Sequence, residues 1–309
     1  MGRRRRSGRL INGWINVNKP VGITSAACVN SVRRALDAAK LGHAGTLDPA
    51  ASGVLPIALG EATKTMSFVV DTHKKYVFTV NWGEQRDTDD DQGEVVETAS
   101  RRPDEAEIKA VLPQFTGEIS QAPPTYSAIK VNGERAYTLA RAGEDVILAS
   151  RQISILSFEL LDMPGRDCAR FAVTSGKGAY MRGLARDLAA ALGTCGHLSN
   201  LRRYAVGPFT EETSISLDKL EELGHSAATF PILLPIETAL DGIPALDLSA
   251  KEALQLRNGQ AVPVLRPQDR EQIEAVGDGG IVLAVESATP VALARVDGIQ
   301  IRPVRVLNL

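Results

Sequence analysis

The sequence predicts an α+β fold: a mixed, mainly antiparallel sheet flanked by helices, with a small β-rich unit at the C-terminal end. Three observations predict it. Segments with the two-residue period of strands are interleaved with segments of helical period. They show no steady strand–helix–strand repeat and no Gly-x-Gly-x-x-Gly turn, which argues against a doubly wound nucleotide-binding sheet. Near residue 240 the pattern changes to short apolar runs separated by turns, the spacing of a small barrel or sandwich.

In chain order, residues 1–12 read as a basic arm and residues 13–240 as the main domain. Residues 13–19 alternate apolar and polar and predict a strand, broken by Pro20-Val-Gly22. Thr24-Ser25 then caps a helix with apolar Val29, Val32 and Leu36. Residues 41–60, with four glycines and two prolines, read as a loop-rich stretch. Residues 74–82 alternate again, with Tyr76, Phe78, Val80 and Trp82 on one face. An acidic loop follows over 83–93, and Pro103 is expected to open a helix reaching about Leu112. Residues 122–133 read as extended, with a short helix after them to Ala142. Strands are predicted over 151–162 and 170–175, and a helix over 181–192 closed by Gly193. In the C-terminal unit, 241–309, one short helix is expected over 246–253, then strands over 261–264, 280–286, 291–296 and 299–304.

Composition excludes several classes. Hydrophobic residues make up 44% and charged residues 23%, as in an ordinary globular protein. No apolar run reaches the length of a membrane span. Cys28, Cys168 and Cys195 are scattered and odd in number, which favours a reducing, cytoplasmic setting over a disulfide framework. No Cys/His spacing resembles a metal site. The net charge of -2 hides an uneven distribution: residues 1–40 sum to +8, 84–109 to -6 and 166–206 to +5. Two basic blocks around an acidic one are compatible with a basic, nucleic-acid-binding face, or with ordinary solvated surface.

The most unusual segment is Gly45-Thr-Leu-Asp48-Pro-Ala-Ala-Ser-Gly53. Glycines let the backbone approach a ligand closely, and Pro49 holds Asp48 extended. With its neighbours, 42–55, it resembles the catalytic motif of the TruB family of pseudouridine synthases, which act on the T arm of tRNA. Further motifs follow in the family's order: Lys19-Pro-Val-Gly-Ile-Thr-Ser25, Lys75-Tyr76, Pro123-Pro-Thr-Tyr-Ser-Ala-Ile-Lys-Val-Asn-Gly133, Gly178-Ala-Tyr-Met-Arg-Gly-Leu-Ala-Arg-Asp187 and His197-Leu-Ser-Asn-Leu-Arg-Arg203. Met181 and Ala189 stand where the family more often has isoleucine and glycine. The C-terminal 70 residues resemble only weakly the PUA-type RNA-binding domain.

The resemblance implies a pseudouridine synthase fold with Asp48, Tyr76 and Arg182 as the catalytic residues. Arg182 would keep Asp48 ionised, since a nearby cation favours the charged carboxylate. Tyr76 would stack on the target uracil. Tyr180 would pack beside the catalytic pair, Leu201 line the uracil pocket and His43 fill the space left by a flipped base. Lys19 would support the active-site loop. Arg33, Arg34, Lys130, Arg202 and Arg203 are candidate phosphate contacts, and residues 124–152 would form a thumb that closes on RNA. The implied reaction needs neither metal nor organic cofactor. The expected partner is the T-arm stem-loop of tRNA, and the expected state is a monomer with no obligatory protein partner. A non-catalytic RNA-binding or RNA-folding protein, and a guide-RNA-dependent synthase, stand as alternatives.

Overall fold

The computed structural model describes residues 8–131, 133–224 and 231–309. Most of the basic arm, residues 1–7, therefore lies outside the described residues. The described residues build a ten-stranded mixed sheet. Its strands run in spatial order Ile215–Ser216, Gly13–Lys19, Ser52–Leu59, Gly196–Val206, Lys74–Trp82, Cys168–Ser175, Arg151–Gly165 and Gly117–Gln121. Leu41–His43 pairs off this path with Ser52–Leu59, and Phe209–Thr210 with Gly196–Val206. Most pairings are antiparallel; Gly13–Lys19 with Ile215–Ser216 and Gly196–Val206 with Ser52–Leu59 are parallel.

Strand alternation distributes the core. In Gly13–Lys19, Ile15 and Val17 point to one face and pack with Val29, Val32 and Leu36 of the helix Ser25–Leu36. That helix starts where the sequence predicts, its first turn closed by Thr24 Oγ1 accepting from Ala27 N at 3.0 Å. Trp14 points to the other face, its ring 5.2 Å from Phe209. On Lys74–Trp82, Phe78, Val80 and Trp82 pack against Leu184, Ala185 and Leu188 of the helix Met181–Ala191. This packing fixes that helix, and with it Arg182, over the middle of the sheet.

The C-terminal unit is a second, five-stranded sheet ordered Ala245–Asp247, Ile281–Glu286, Thr289–Asp297, Gln300–Val306 and Val262–Pro263. The two sheets share a core: Trp14, Val206 and Phe209 join Ile236 and Leu240, then Leu283, Leu293 and Leu307.

Several elements differ from the sequence expectation. Ser52–Leu59, expected within a loop-rich stretch, is a strand with all but Ser52 buried. Both its faces are covered, so its apolar run is continuous and shows no two-residue period. Gly196–Val206 was not foreseen as a strand, because a bulge interrupts its alternation. The register with Lys74–Trp82 shifts between Ser199 and Arg202, and Asn200 adopts a φ of 50°. Gly117–Gln121 is also a strand, and Glu84–Arg86 pairs with Val95–Thr98 inside and beyond the acidic loop. Residues 246–253, expected as one helix, divide into the strand Ala245–Asp247 and the helix Ala250–Arg257. Ser249 and Glu252 form a capping box there, which starts the helix late. Pro103 lies just outside its helix, Glu105–Val111, because Asp104 takes the capping position. The helix Pro267–Val276 was not anticipated among the C-terminal strands.

Gly53 is the tightest backbone approach near the Asp48 loop. Its φ is +103°, and a Cβ there would lie 2.1 Å from the Arg203 carbonyl oxygen. Gly53→Ala is expected to cost about 1–3 kcal/mol of unfolding free energy from forced backbone strain. Urea unfolding checks this, and an unchanged midpoint would show that the strand pair relaxes freely.

Candidate active site

Asp48 lies in the loop between the strands Leu41–His43 and Ser52–Leu59. Three buried polar side chains grip the backbone of this loop and of the 20–23 turn bonded to it through Gly22 N and Pro49 O at 2.8 Å. Lys19 is fully buried and donates from Nζ to the carbonyls of Ile23 (2.8 Å), Pro20 (2.9 Å) and Pro49 (3.4 Å). Ser25 Oγ accepts from Leu47 N at 2.8 Å and donates to Leu47 O at 2.9 Å. Arg203, only 1% exposed, donates to the carbonyls of Val54 (2.8 Å), Gly45 (3.1 Å) and Thr46 (3.4 Å). A buried cation left unpaired costs several kcal/mol, so each of these cations ties down the carbonyls that satisfy it.

Burial pushes the Lys19 ammonium down to about 8, against the opposing pull of Cys28 and Asp48. Burial also lowers His43, helped by the Arg203 charge, which favours a neutral imidazole. His43 Nδ1 is buried and has no hydrogen-bond partner among the described residues.

Arg182 sits one residue into the helix Met181–Ala191, and its side chain is 5% exposed. Nε donates to Asp48 Oδ2 at 2.9 Å, Nη1 to Thr88 O at 2.9 Å and Nη2 to Tyr126 O at 3.0 Å. Asp90 Oδ2 lies 3.6 Å from the same Nε. Asp48 remains 38% exposed, so one face of the carboxyl is open to a substrate while the other meets the arginine. The N-terminal end of the helix is itself fixed, since Gln121 exchanges two hydrogen bonds with the Tyr180 backbone at 2.9 and 3.0 Å.

Sheet register brings Tyr76 to the same level. Gly53 pairs with Arg203, Arg203 with Tyr76, and Tyr76 with Val173 across four adjacent strands. The Tyr76 ring is half-buried against the cluster that contains Leu47 and Leu201. Leu201 is carried into that cluster by the Asn200 bulge. The Tyr180 ring lies 6.0 Å from the Arg151 guanidinium. The fold therefore gathers Asp48, Arg182, Tyr76 and Leu201 at one place, with Lys19 beneath the loop.

The basic candidates divide. Lys130 is exposed on the hairpin of Lys130–Val131 with Glu134–Arg135. Arg33 and Arg34 are exposed on the helix Ser25–Leu36, bonded to Asn30 and Ser31. Arg202 is half-buried, paired with Glu211 and 3.3 Å from Ser52 Oγ. Arg203 is the exception to the phosphate expectation. Its guanidinium is buried and committed to three backbone carbonyls, so it acts on the loop from inside rather than on a ligand from outside.

The sequence reading missed the role of the acidic loop, which the structure folds inward rather than leaving on a solvated back. Asp90 is buried beside Arg182. Asp89 is buried as well, with a φ of 60°. The signal available was Thr88-Asp-Asp-Asp91, more acid than a simple turn requires, but sequence gives no clue to its partner across some 90 residues. Among the described residues, no group of His, Cys, Asp and Glu is arranged to hold a metal ion, and no helix is long and apolar enough to cross a membrane.

Residues 33–181 match the N-terminal domain of the TruB family of pseudouridylate synthases, and residues 182–241 match the tRNA pseudouridylate synthase B C-terminal domain. The chain belongs to the TruB family. As a TruB family member it is an enzyme that makes pseudouridine. The tRNA pseudouridine synthase B of Rhodospirillum rubrum is 55% identical over 306 residues, covering 99% of each chain. The protein of the same name from Bradyrhizobium diazoefficiens is 51% identical over 310 residues, 99% of this chain and 88% of that one. Among solved structures, a chain of a Cbf5–Nop10–Gar1 complex matches with a TM-score of 0.73 at 28% identity, over 96% of this chain and 85% of that one.

The charged form of Lys19 binds the carbonyls of Pro20, Ile23 and Pro49 more strongly than the neutral amine. Because its proton leaves near 8, a TruB rate measured at saturating RNA is expected to fall as pH rises past that value. Lys19→Met is expected to be slow at every pH. A wild-type rate that is level from about pH 7 to 9.5 would contradict a requirement for the Lys19 charge.

Proposed function

We propose that the enzyme isomerises uridine to pseudouridine at position 55 in the T loop of tRNA, acting alone as a cytoplasmic monomer. The observation that carries this reading is the Asp48–Arg182 pair at 2.9 Å, on a loop pinned by Lys19, Ser25 and Arg203. The relatives named tRNA pseudouridine synthase B, matched over 99% of this chain, support tRNA as the substrate.

In this reading the target uridine leaves its stack, at a cost of a few kcal/mol. His43 fills the space that it vacates. The uracil stacks on Tyr76 and lies against Leu201, with Tyr180 packing beside the catalytic pair. Asp48 acts on the ribose, as nucleophile at C1′ or as base. The C1′–N1 bond breaks, the base turns, C5 joins C1′, and the C5 proton is lost as N1 gains one. Atoms balance without an external group, so no cofactor is required. Arg182 holds the Asp48 carboxyl in place through the 2.9 Å contact from Nε. Lys19 and Arg203 hold the loop rigid, which matters because misplacement by an ångström can cost about 100-fold in rate.

Arg33, Arg34, Lys130 and Arg202 contact phosphates, and the segment 124–152 closes on the RNA as a thumb. Residues 13–240 form the catalytic domain and 241–309 a PUA-like RNA-binding domain. The identity of 55% to a tRNA pseudouridine synthase B, against 28% to a chain from a Cbf5 complex, favours this reading over a guide-dependent one. Asp48, partly open to solvent and paired with the buried Arg182, favours it over a non-catalytic RNA-folding protein.

Release of tritium from uracil C5 of a T-arm stem-loop tests the proposal with no guide or cofactor added. Wild type is expected to release it. Asp48→Asn is expected to release none while RNA affinity stays within roughly tenfold. Wild-type release by the asparagine variant would remove Asp48 from the mechanism. Binding without release by wild type would turn the reading toward the alternatives.

A further inference from the structure

We propose that Arg186 is a positioning residue for the reaction: it fixes the two chain segments that hold Arg182 against Asp48. The inference rests on the reading of Asp48 and Arg182 given above.

Arg182 and Arg186 lie four residues apart, on one face of the helix Met181–Ala191. Each guanidinium spans the same two segments. Arg182 reaches the acidic loop at Thr88 O and the segment after Gln121 at Tyr126 O, at 2.9 and 3.0 Å. Arg186 reaches the acidic loop at Asp89 Oδ2 (3.0 Å) and the following segment at Ala122 O (2.8 Å). Its Nε is taken by Asp187 at 2.9 Å. Asp89, Asp187 and the Ala122 carbonyl are not proposed reacting groups, so Arg186 acts through others.

Asp89 transmits the effect. It is 6% exposed and held at a φ of 60°, a backbone conformation that costs a non-glycine residue energy. Gln85 Nε2 donates to its Oδ1 at 2.6 Å, and its carbonyl accepts from Leu198 N at 3.0 Å. Burial pushes its carboxyl above the ordinary carboxylate range, with Arg186 the largest opposing influence. Without Arg186, a buried carboxylate would lose its cation and relax outward or take up a proton. Thr88, whose carbonyl binds Arg182, is the residue immediately before Asp89, so relaxation there moves an Arg182 acceptor directly. The flanks carry the same dependence: Asp90 adjoins Arg182 and Asp91 bonds to His197 at 3.0 Å.

The experiment is single-turnover conversion of a T-arm stem-loop at saturating enzyme, with RNA affinity and thermal unfolding measured on the same variants. Arg186→Ala and Asp89→Asn are expected to slow the saturating rate by about tenfold or more, with affinity within about threefold. Arg186→Lys keeps the charge but not the fork, and is expected to give an intermediate rate at unchanged affinity. It decides the question if the alanine variant does not fold. A full saturating rate in Arg186→Ala, or in Arg186→Lys where the alanine variant does not fold, would overturn the inference. So would a loss confined to affinity or to melting temperature. Asp48→Asn runs alongside. If it is active, the underlying reading fails; if it is inactive while Arg186→Ala is unimpaired, only this inference fails.

Discussion

A buried guanidinium must have its donors satisfied, and the site is arranged around that requirement. Arg182 is taken out of water by the packing of its helix on the sheet, and its charge and donors then need partners. They come from three distant parts of the chain: the Asp48 carboxyl, the Thr88 carbonyl and the Tyr126 carbonyl. Meeting this single need brings the Asp48 loop, the acidic loop and the start of the 124–152 segment together. Removing any one partner leaves a buried donor open, so these segments hold their places jointly.

The loop around Asp48 uses cations differently. Lys19 and Arg203 are buried, yet they are neutralised by backbone carbonyl dipoles rather than by carboxylates. Two consequences follow. The loop backbone becomes rigid, because moving a carbonyl would strand a cation. Both cations thus act on the backbone around Asp48 rather than through an ion pair with a neighbouring acid. The outer face of Asp48 stays open to solvent.

Much of this was legible in the sequence, for identifiable reasons. Gly13–Lys19 and Lys74–Trp82 are legible because apolar and polar residues alternate along both, although Gly13–Lys19 is buried on both faces, and Thr24 announces its helix through a local cap. That Asp48, Tyr76 and Arg182 belong near one another was suggested by ordered motifs rather than by their chemistry alone, and the fold does bring them together. What stayed hidden depends on contacts across long stretches of chain. Ser52–Leu59 and Gly196–Val206 owe their strand character to neighbouring strands, and a bulge breaks the alternation of the second. Asp89 and Asp90 looked like solvated turn acids because their arginines lie more than 90 residues away. Arg203 looked like a surface cation, since nothing local reveals that the carbonyls of Gly45, Thr46 and Val54 enclose it.

The central claim is that Asp48 and Arg182 work as one unit. A double-mutant cycle tests it most directly, with Asp48→Asn, Arg182→Met and the double variant compared by single-turnover pseudouridine formation. The account predicts that either single change removes nearly all of the rate and that the second change adds little, as for residues that act together. Losses that multiply, with the arginine variant retaining substantial activity on its own, would contradict it.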